Sequence, residues 1–219
     1  MEEYNEMLGT LINDGFYEED KYEFSINEYL IVPPFDSGSS TIFKYDGKEF
    51  NLIRGREIQN NWIGSIFPRN DEQVCLVDSL LNKTPIVFAG GVYGSGKTFL
   101  THNYAIGELE RDRIKKIVYV PNNSYTQNTM DLGALPGSLM DKIIPLIGPL
   151  IDLVGIDQVQ RWVSEEKLEI VPISYIRGRS FNDSIMLVSE AENLTEEHIK
   201  LLLARCGENT RIFFDGDIH

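Results

Sequence analysis

Residues 91–98 read Gly-Val-Tyr-Gly-Ser-Gly-Lys-Thr and satisfy the spacing G-x-x-x-x-G-K-[ST] of a phosphate-cradling P-loop. Each residue type has a task there. Gly91, Gly94 and Gly96 let the backbone curl until its N–H groups face an anion, and Ser95 lies within that curl. The helix that follows adds partial positive charge at its N-terminus. Lys97 reaches the β/γ-phosphates, and the Thr98 hydroxyl is placed to hold Mg²⁺. The setting agrees: residues 85–90 are a short apolar β-type run, and residues 99–106 read as a helix.

Phosphoryl transfer also needs acids at the end of a neighbouring strand. The run Ile185-Met-Leu-Val-Ser189 delivers Glu190 to such a position, where it would polarise the attacking water. The metal-side acid expected just before it is replaced by Ser189, which can hydrogen-bond a metal-bound water but brings no charge. The competing reading of Glu190 is a solvated acid at a helix start. A last strand over residues 210–214 ends in Asp215-Gly216-Asp217. That places an acid beside the γ-phosphate, or it is a plain turn, since Asp-Gly is a common turn pair. Arg177 and Arg179 flank a glycine between two strand candidates. Their forked guanidinium groups suit the phosphates of RNA, of DNA or of a neighbour's nucleotide; otherwise they pair with surface acids. Gln73, upstream of the loop, carries the donor and acceptor needed to read an adenine edge, or it is simply a solvated helical glutamine.

These groups must be positioned by alternating strands and helices. Residues 116–120, 168–173 and 184–189 are strand candidates, as is 210–214. Asn70 or Asp71 caps a helix whose one face bears Val74, Val77, Leu80 and Leu81. Thr195-Glu-Glu-His opens another with Ile199, Leu202 and Leu203. Pro145 and Pro149 break the apolar stretch 137–155 into two short or kinked helices. The expected fold is α/β, a mostly parallel sheet with helices on both faces. Ahead of it, residues 28–34 look extended, and residues 41–45 and 49–54 flank an Asp46-Gly47 turn as a hairpin. The division is therefore an acidic segment at 1–26, with apolar residues at roughly helical spacing, a small β-rich unit at 27–66, and a nucleotide-binding domain at 67–219.

The formal net charge is −14, with ten acids against one base among residues 1–36. A whole-chain basic footprint for nucleic acid is absent. Cys75 and Cys206 lie far apart without metal spacing, and the three histidines form no ligand cluster, which fits a reduced, cytoplasmic protein. No apolar run approaches the ~20 residues of a membrane span and no signal peptide opens the chain.

In order along the chain, Pro68-Arg-Asn-Asp-Glu-Gln73, the P-loop, Leu132-Gly-Ala-Leu-Pro-Gly137, Val171-Pro-Ile-Ser-Tyr-Ile-Arg-Gly-Arg179, Glu190-Ala-Glu-Asn193 and Gly216-Asp217 resemble the PhoH-like ATPase family. The resemblance implies a RecA-like P-loop core of the superfamily one helicase type. It implies ATP and Mg²⁺ as ligands, hydrolysis coupled to RNA unwinding or to action on single-stranded nucleic acid, and a homo-oligomeric ring, a hexamer. It makes Gln73 the adenine reader and Asp217 the γ-phosphate sensor. Residues 27–66 resemble the connector of longer relatives, without room upstream for their PIN-type nuclease domain. Three departures stand out. Ser189-Glu190-Ala191-Glu192 replaces Asp-Glu-Ala-Gln, and Tyr119-Val120-Pro121 replaces Thr-Arg-Pro. The sequence also stops at His219, where the family continues into an arginine-bearing segment. Arginine fingers are worth about 10³–10⁵ in rate in other NTPases. The alternative expectation is thus a nucleotide-binding assembly or regulatory module with little hydrolysis.

Overall fold

The computed structural model describes Gly9 and residues 24–34, 38–121 and 144–217. The N-terminal segment with apolar residues at helical spacing, Gly9 and residues 24–26 apart, and the Leu-Gly-Ala-Leu-Pro-Gly motif at 132–137 lie outside the described residues. The chain forms two compact units, one of Met1–Arg56 with Phe67–Asp78, the other of Glu57–Ile66 with Ser79–His219.

In the first unit, β1 (Tyr29–Val32), β2 (Thr41–Tyr45) and β3 (Phe50–Ile53) form an antiparallel sheet in that order. The β2–β3 hairpin is the one its Asp46-Gly47 turn predicts. Asp46 Oδ1 accepts the Lys48 and Glu49 N–H groups at 2.9 and 3.0 Å, and these bonds hold its carboxyl below the usual range. Val32, Phe43, Tyr45 and Phe50 gather into one buried cluster. Helix α1 (Asp71–Leu81) starts where the Asn70 side chain accepts the Gln73 N–H at 2.9 Å. Asp78, on its buried side and 4% exposed, accepts from the Tyr29 hydroxyl (2.8 Å), Arg56 (2.8 Å) and Lys44 (3.3 Å). Burial, with Asp71 and Asp78 nearby, pushes the Cys75 thiol up to about 11, so Cys75 is a packed thiol rather than a nucleophile.

The second unit holds five parallel strands: β6 (Ile86–Gly91), β7 (Lys116–Val120), β8 (Leu168–Ile170), β9 (Ser184–Val188) and β10 (Arg211–Asp217), in the spatial order β6-β10-β9-β7-β8. Helices α2 (Lys97–Glu110), α3 (Gly148–Val154), α4 (Ile156–Ser164) and α5 (Glu196–Leu203) flank it. The interiors of β7, β9 and β10 are apolar and buried on both faces, as a covered parallel sheet requires, whereas Ile86 and Phe88 of the edge strand β6 are exposed. On one face Val118, Val120, Met186, Val188, Ile212 and Phe214 join Leu202 of α5 in a single cluster. Strand residues alternate between faces, so Tyr119, Ser189, Phe213, Asp215 and Asp217 face the other way. That is the α2 side, where Tyr119 meets His102 and Phe213 meets Tyr104.

A short hairpin of β4 (Ile58–Asn60) and β5 (Gly64–Ile66) rests on α2. Asn60 Nδ2 donates to Asn103 Oδ1 at 2.7 Å. A Cβ on Gly107 would lie 2.5 Å from the Gln59 carbonyl, so this mid-helix glycine is set by close backbone approach. The strand expected over 168–173 ends at Ile170, because Pro172 has no N–H to give a ladder, and Ile173–Tyr175 is a 3₁₀ turn. Of the apolar stretch 137–155, residues 137–143 lie outside the described residues; a 3₁₀ turn covers Ile144–Leu146, and Pro149 sits in the first turn of α3. Thr195 caps α5 with His198 as its reciprocal partner. Helix α4 has no counterpart in the sequence reading. No helix among the described residues is long and apolar enough to cross a membrane.

Replacing Asp78 by Ala strands the buried ends of Lys44 and Tyr29. Loss of one partner of a buried ion pair costs about 3–5 kcal/mol, and Arg56 is half-exposed, so urea unfolding of Asp78→Ala is expected to show a loss of about 3 kcal/mol.

Candidate nucleotide-binding site

All five strands run the same way, so their carboxyl ends share one edge, where ligands bind in open α/β sheets. Strand β6 runs into the P-loop there. Gly94 and Gly96 take φ of 75° and 88°, the left-handed region that glycine occupies at no steric cost. Gly96 is the N-cap of α2 and no side chain caps that end. The first-turn amides are thus left to an external acceptor, and with the helix dipole they make an anion site. Thr98 follows Lys97 in that turn. Its carbonyl accepts the Thr101 hydroxyl at 3.2 Å, which steadies the turn from below.

The Lys97 side chain is only 10% exposed, and its ammonium donates to four acceptors. These are the Gly91 and Val92 carbonyls (2.9 Å each), Ser95 Oγ (3.3 Å) and Asp217 Oδ1 (2.9 Å). Asp217 reaches Lys97 because β10 pairs directly with β6, Asp217 lying opposite Gly91. Residues 215–217 therefore continue the strand, and the plain-turn reading of Asp215-Gly216-Asp217 is set aside. The Asp217 N–H donates to Glu192 Oε2 at 3.1 Å. A Cβ on Gly216 would stand 2.8 Å from that oxygen and 3.0 Å from the Glu192 nitrogen. Gly216 is small so that the segment after β9 can close onto the end of β10.

Glu190 leaves β9 in the left-handed region, φ 51° and ψ 48°, a strain of about 1–3 kcal/mol for a residue with a Cβ. Its carboxyl is held above the ordinary range, first by partial burial and then by Glu192, Asp215 and Asp217. A raised carboxylate is a stronger proton acceptor. Beside it, Ser189 Oγ accepts the Tyr119 hydroxyl at 3.3 Å. Tyr119 is 1% exposed and burial pushes its phenol up to about 12, so it stays protonated and stays a donor.

Behind these groups lie two buried polar atoms without hydrogen-bond partners, Asp215 Oδ2 and His102 Nε2. Burial lowers the His102 pKa, opposed by the charge of Asp215. Tyr119 crosses the His102 ring edge-on, with centroids 5.7 Å apart.

Arg179 is bound to Glu169, which also takes Lys116 at 3.0 Å, and lies 4.8 Å over the Phe181 ring. Arg177 is exposed on the turn after β8, two residues from a half-exposed Tyr175. Gln73 belongs to the first unit, where its carboxamide oxygen accepts the Arg69 N–H at 2.8 Å. Lys97, Asp217, Glu190 and Ser189 thus share the sheet edge with the glycine loop. His102, Tyr119 and Glu192 are the participants that were not foreseen. The signals available for them were His102 one helical turn after Thr98, and Tyr119 as the penultimate residue of a β-type run.

Gly216→Ala forces Glu192 away from Asp217. It is expected to weaken nucleotide binding at least about tenfold by fluorescence titration, a ~1.4 kcal/mol loss, while the far-UV circular dichroism spectrum is kept.

The comparisons agree with this geometry. The family model described as "PhoH-like protein" matches residues 65–219. "Protein PhoH" of Escherichia coli (strain K12) is 32% identical over 70% of this chain and 44% of its own length. "Protein PhoH2" of Bacillus subtilis (strain 168) is 28% identical over 90% of this chain and 46% of its own. The chain thus spans less than half the length of these curated relatives. Among solved structures, Caenorhabditis elegans PCH-2 aligns over 65% of this chain and 35% of its own at 16% identity, with a TM-score of 0.27 that adds no weight. A glycine loop opening a helix, a lysine held to a strand-end aspartate and a matching family model over most of the chain lead to one assignment: this is a P-loop nucleotide-binding protein of the PhoH-like family.

Proposed function

We propose that the second unit binds ATP in the residue 91–98 cradle and hydrolyses it with Mg²⁺. The observation that carries this is the Lys97 ammonium, joined at once to the loop and to Asp217. Its ligands are acceptors that phosphate oxygens can replace. On binding, the first-turn amides of α2 take the phosphates, and Lys97 shifts from loop carbonyls to the β/γ oxygens. Asp217 lies at the γ end of that cradle. Glu190, with its raised carboxyl, accepts a proton from the attacking water as the terminal phosphate leaves ADP.

The residues present fit a divalent ion. Among the described residues no group of three or more His, Cys, Asp or Glu could hold a metal unaided. Mg²⁺ in such sites is held by one or two protein groups together with substrate phosphates. Thr98 supplies one hydroxyl; Ser189 offers a second, neutral and shared with Tyr119, and on the adjoining strand Asp215 has a buried carboxylate oxygen without a hydrogen-bond partner. When bound, the ion would neutralise charge building on the phosphate oxygens.

A second reading has its own support. Ser189 supplies no charge, which favours a nucleotide-binding regulatory or assembly module with slow turnover. RNA or single-stranded nucleic acid is proposed as the polymer partner. Its contact would be the exposed Tyr175–Arg177 turn at the carboxyl end of β8, where an exposed aromatic and an exposed guanidinium lie two residues apart. The ring expected from the family, a hexamer, would be read by solution mass with and without nucleotide.

Lys97→Ala is expected to lose ATP binding. Glu190→Gln is expected to keep it and lose about 10²-fold or more in turnover, the usual weight of a general base. Equal, background turnover in wild type and Glu190→Gln, with binding retained, favours the module. Arg177→Ala is expected to weaken single-stranded RNA binding and flatten its salt dependence by roughly one counterion. Undetectable RNA and DNA binding at low salt removes the polymer reading.

A further inference from the structure

We propose that Asp215 supplies the negative charge on the Mg²⁺ side of the nucleotide site that Ser189 does not. The inference rests on the nucleotide-binding reading above.

Three independent features of position lead to it. The first is strand order. β10 lies between β6, which carries the P-loop, and β9, which carries Ser189 and Glu190. Phe214 is paired with Val188, so the next residues, Asp215 and Ser189, are lateral neighbours. The second is facing. Asp215 shares the α2 side of the sheet with Asp217 and Phe213. Phe213 meets Tyr104 halfway along α2 and Asp217 meets Lys97 at its start. Asp215, midway between them, therefore lies under the turns from Thr98 to His102. The third is its unmet need. Asp215 is 5% exposed, and Oδ2 has no hydrogen-bond partner. A buried carboxylate oxygen left without a donor or cation is costly, and such a group in a native fold calls for a missing ligand.

Ser189 is poorly suited to the same role. It is neutral, and its oxygen already accepts the Tyr119 hydroxyl. A hard dication prefers a charged oxygen to a hydroxyl that is already engaged. Thr98 supplies the hydroxyl ligand in either case. The acid would then reach the cation from β10 rather than from β9, one strand nearer the P-loop. His102 Nε2 is the competing explanation for the orphaned oxygen. It makes Asp215 a structural partner of α2, with no dependence on metal.

Affinity for a fluorescent ATP analogue, with Mg²⁺ and in EDTA, separates these. Binding of Mn²⁺ with ADP, followed by electron paramagnetic resonance, reads the ion directly. Asp215→Asn is expected to leave the EDTA affinity within about twofold. It should cut the Mg²⁺-dependent gain and the Mn²⁺ affinity by about tenfold, the scale on which metal-site partners act. The melting temperature without nucleotide should hold or rise, since a buried unpaired charge has gone. The double variant Ser189→Asp/Asp215→Asn, which moves the carboxylate one strand over, should recover the Mg²⁺ gain and Mn²⁺ binding. An undiminished Mg²⁺ gain in Asp215→Asn overturns the proposal. So does a fall in melting temperature with equal losses in EDTA and Mg²⁺, which marks a structural partner of His102. Should Asp215→Asn fail to fold, a folded double variant without Mn²⁺ affinity has the same force. Wild-type protein that binds no nucleotide in either condition fails the nucleotide reading itself, and this inference with it.

Discussion

The pairing of β10 with β6 is the constraint on which the rest of the site depends. Each residue pair from Ile212↔Ile86 to Asp217↔Gly91 is fixed by a parallel ladder, and in a parallel sheet a slip of one residue turns every side chain to the opposite face. A slip here would turn Asp215 and Asp217 away from α2 and take Asp217 out of reach of Lys97. The anchor at the other end of the strand is Arg211. It donates to Thr84 O, Leu80 O and the Tyr104 hydroxyl, and its guanidinium lies between the Tyr104 and Phe213 rings. Register at the P-loop edge is thus enforced about 20 Å away, at ~3.3 Å per residue along the strand.

That ladder brings together groups that oppose one another. Glu190, Glu192, Asp215 and Asp217 converge at one edge with Lys97 as their neighbouring cation, and the three other acids all push the Glu190 carboxyl upward. Such crowding costs stability, as do the left-handed backbone at Glu190 and the unpartnered atoms of Asp215 and His102. Costs of this kind gather where a fold prepares for a ligand. The Lys97 contacts offset part of them by keeping the loop curled in the form the phosphates need. The same contacts must be exchanged on binding, so shape is prepared at some expense of affinity.

Legibility in the sequence followed the distance over which each feature is determined. The P-loop is local: eight residues, two left-handed glycines and a helix start make the cradle, and nothing remote is needed to see it. The β2–β3 hairpin and the Thr195 cap were visible for the same reason. The Asp215-Gly216-Asp217 ambiguity could not be resolved locally, because an Asp-Gly pair turns or extends according to what lies beside it, and here β6 does. Gly216 is explained by Glu192, 24 residues earlier in the chain. Arg179 was a phosphate candidate by type, yet Glu169, paired to it across a loop, occupies its guanidinium. Helix α4 was missed although Val159 and Trp162 bury at helical spacing; the preceding Gly155 reads as an ending and is also the N-cap of the next helix.

The serine at position 189 looks different once the strand order is known. Along the chain it is a lost charge, and a lost charge argues for weak metal binding and slow turnover. Across the sheet, the place it leaves is flanked by Asp215 on the next strand, on the same face as the helix that carries Thr98. What a phosphate-bound cation requires is a carboxylate at a point in space, not at a point in the sequence, and two adjacent parallel strands offer that point from two sides. A substitution on β9 can therefore be offset from β10 without moving the backbone. The Tyr119–Ser189 hydrogen bond then has a use of its own: it closes the hydroxyl at the β9 position and keeps the end of that strand ordered beside Glu190, whose strained backbone begins at the next residue.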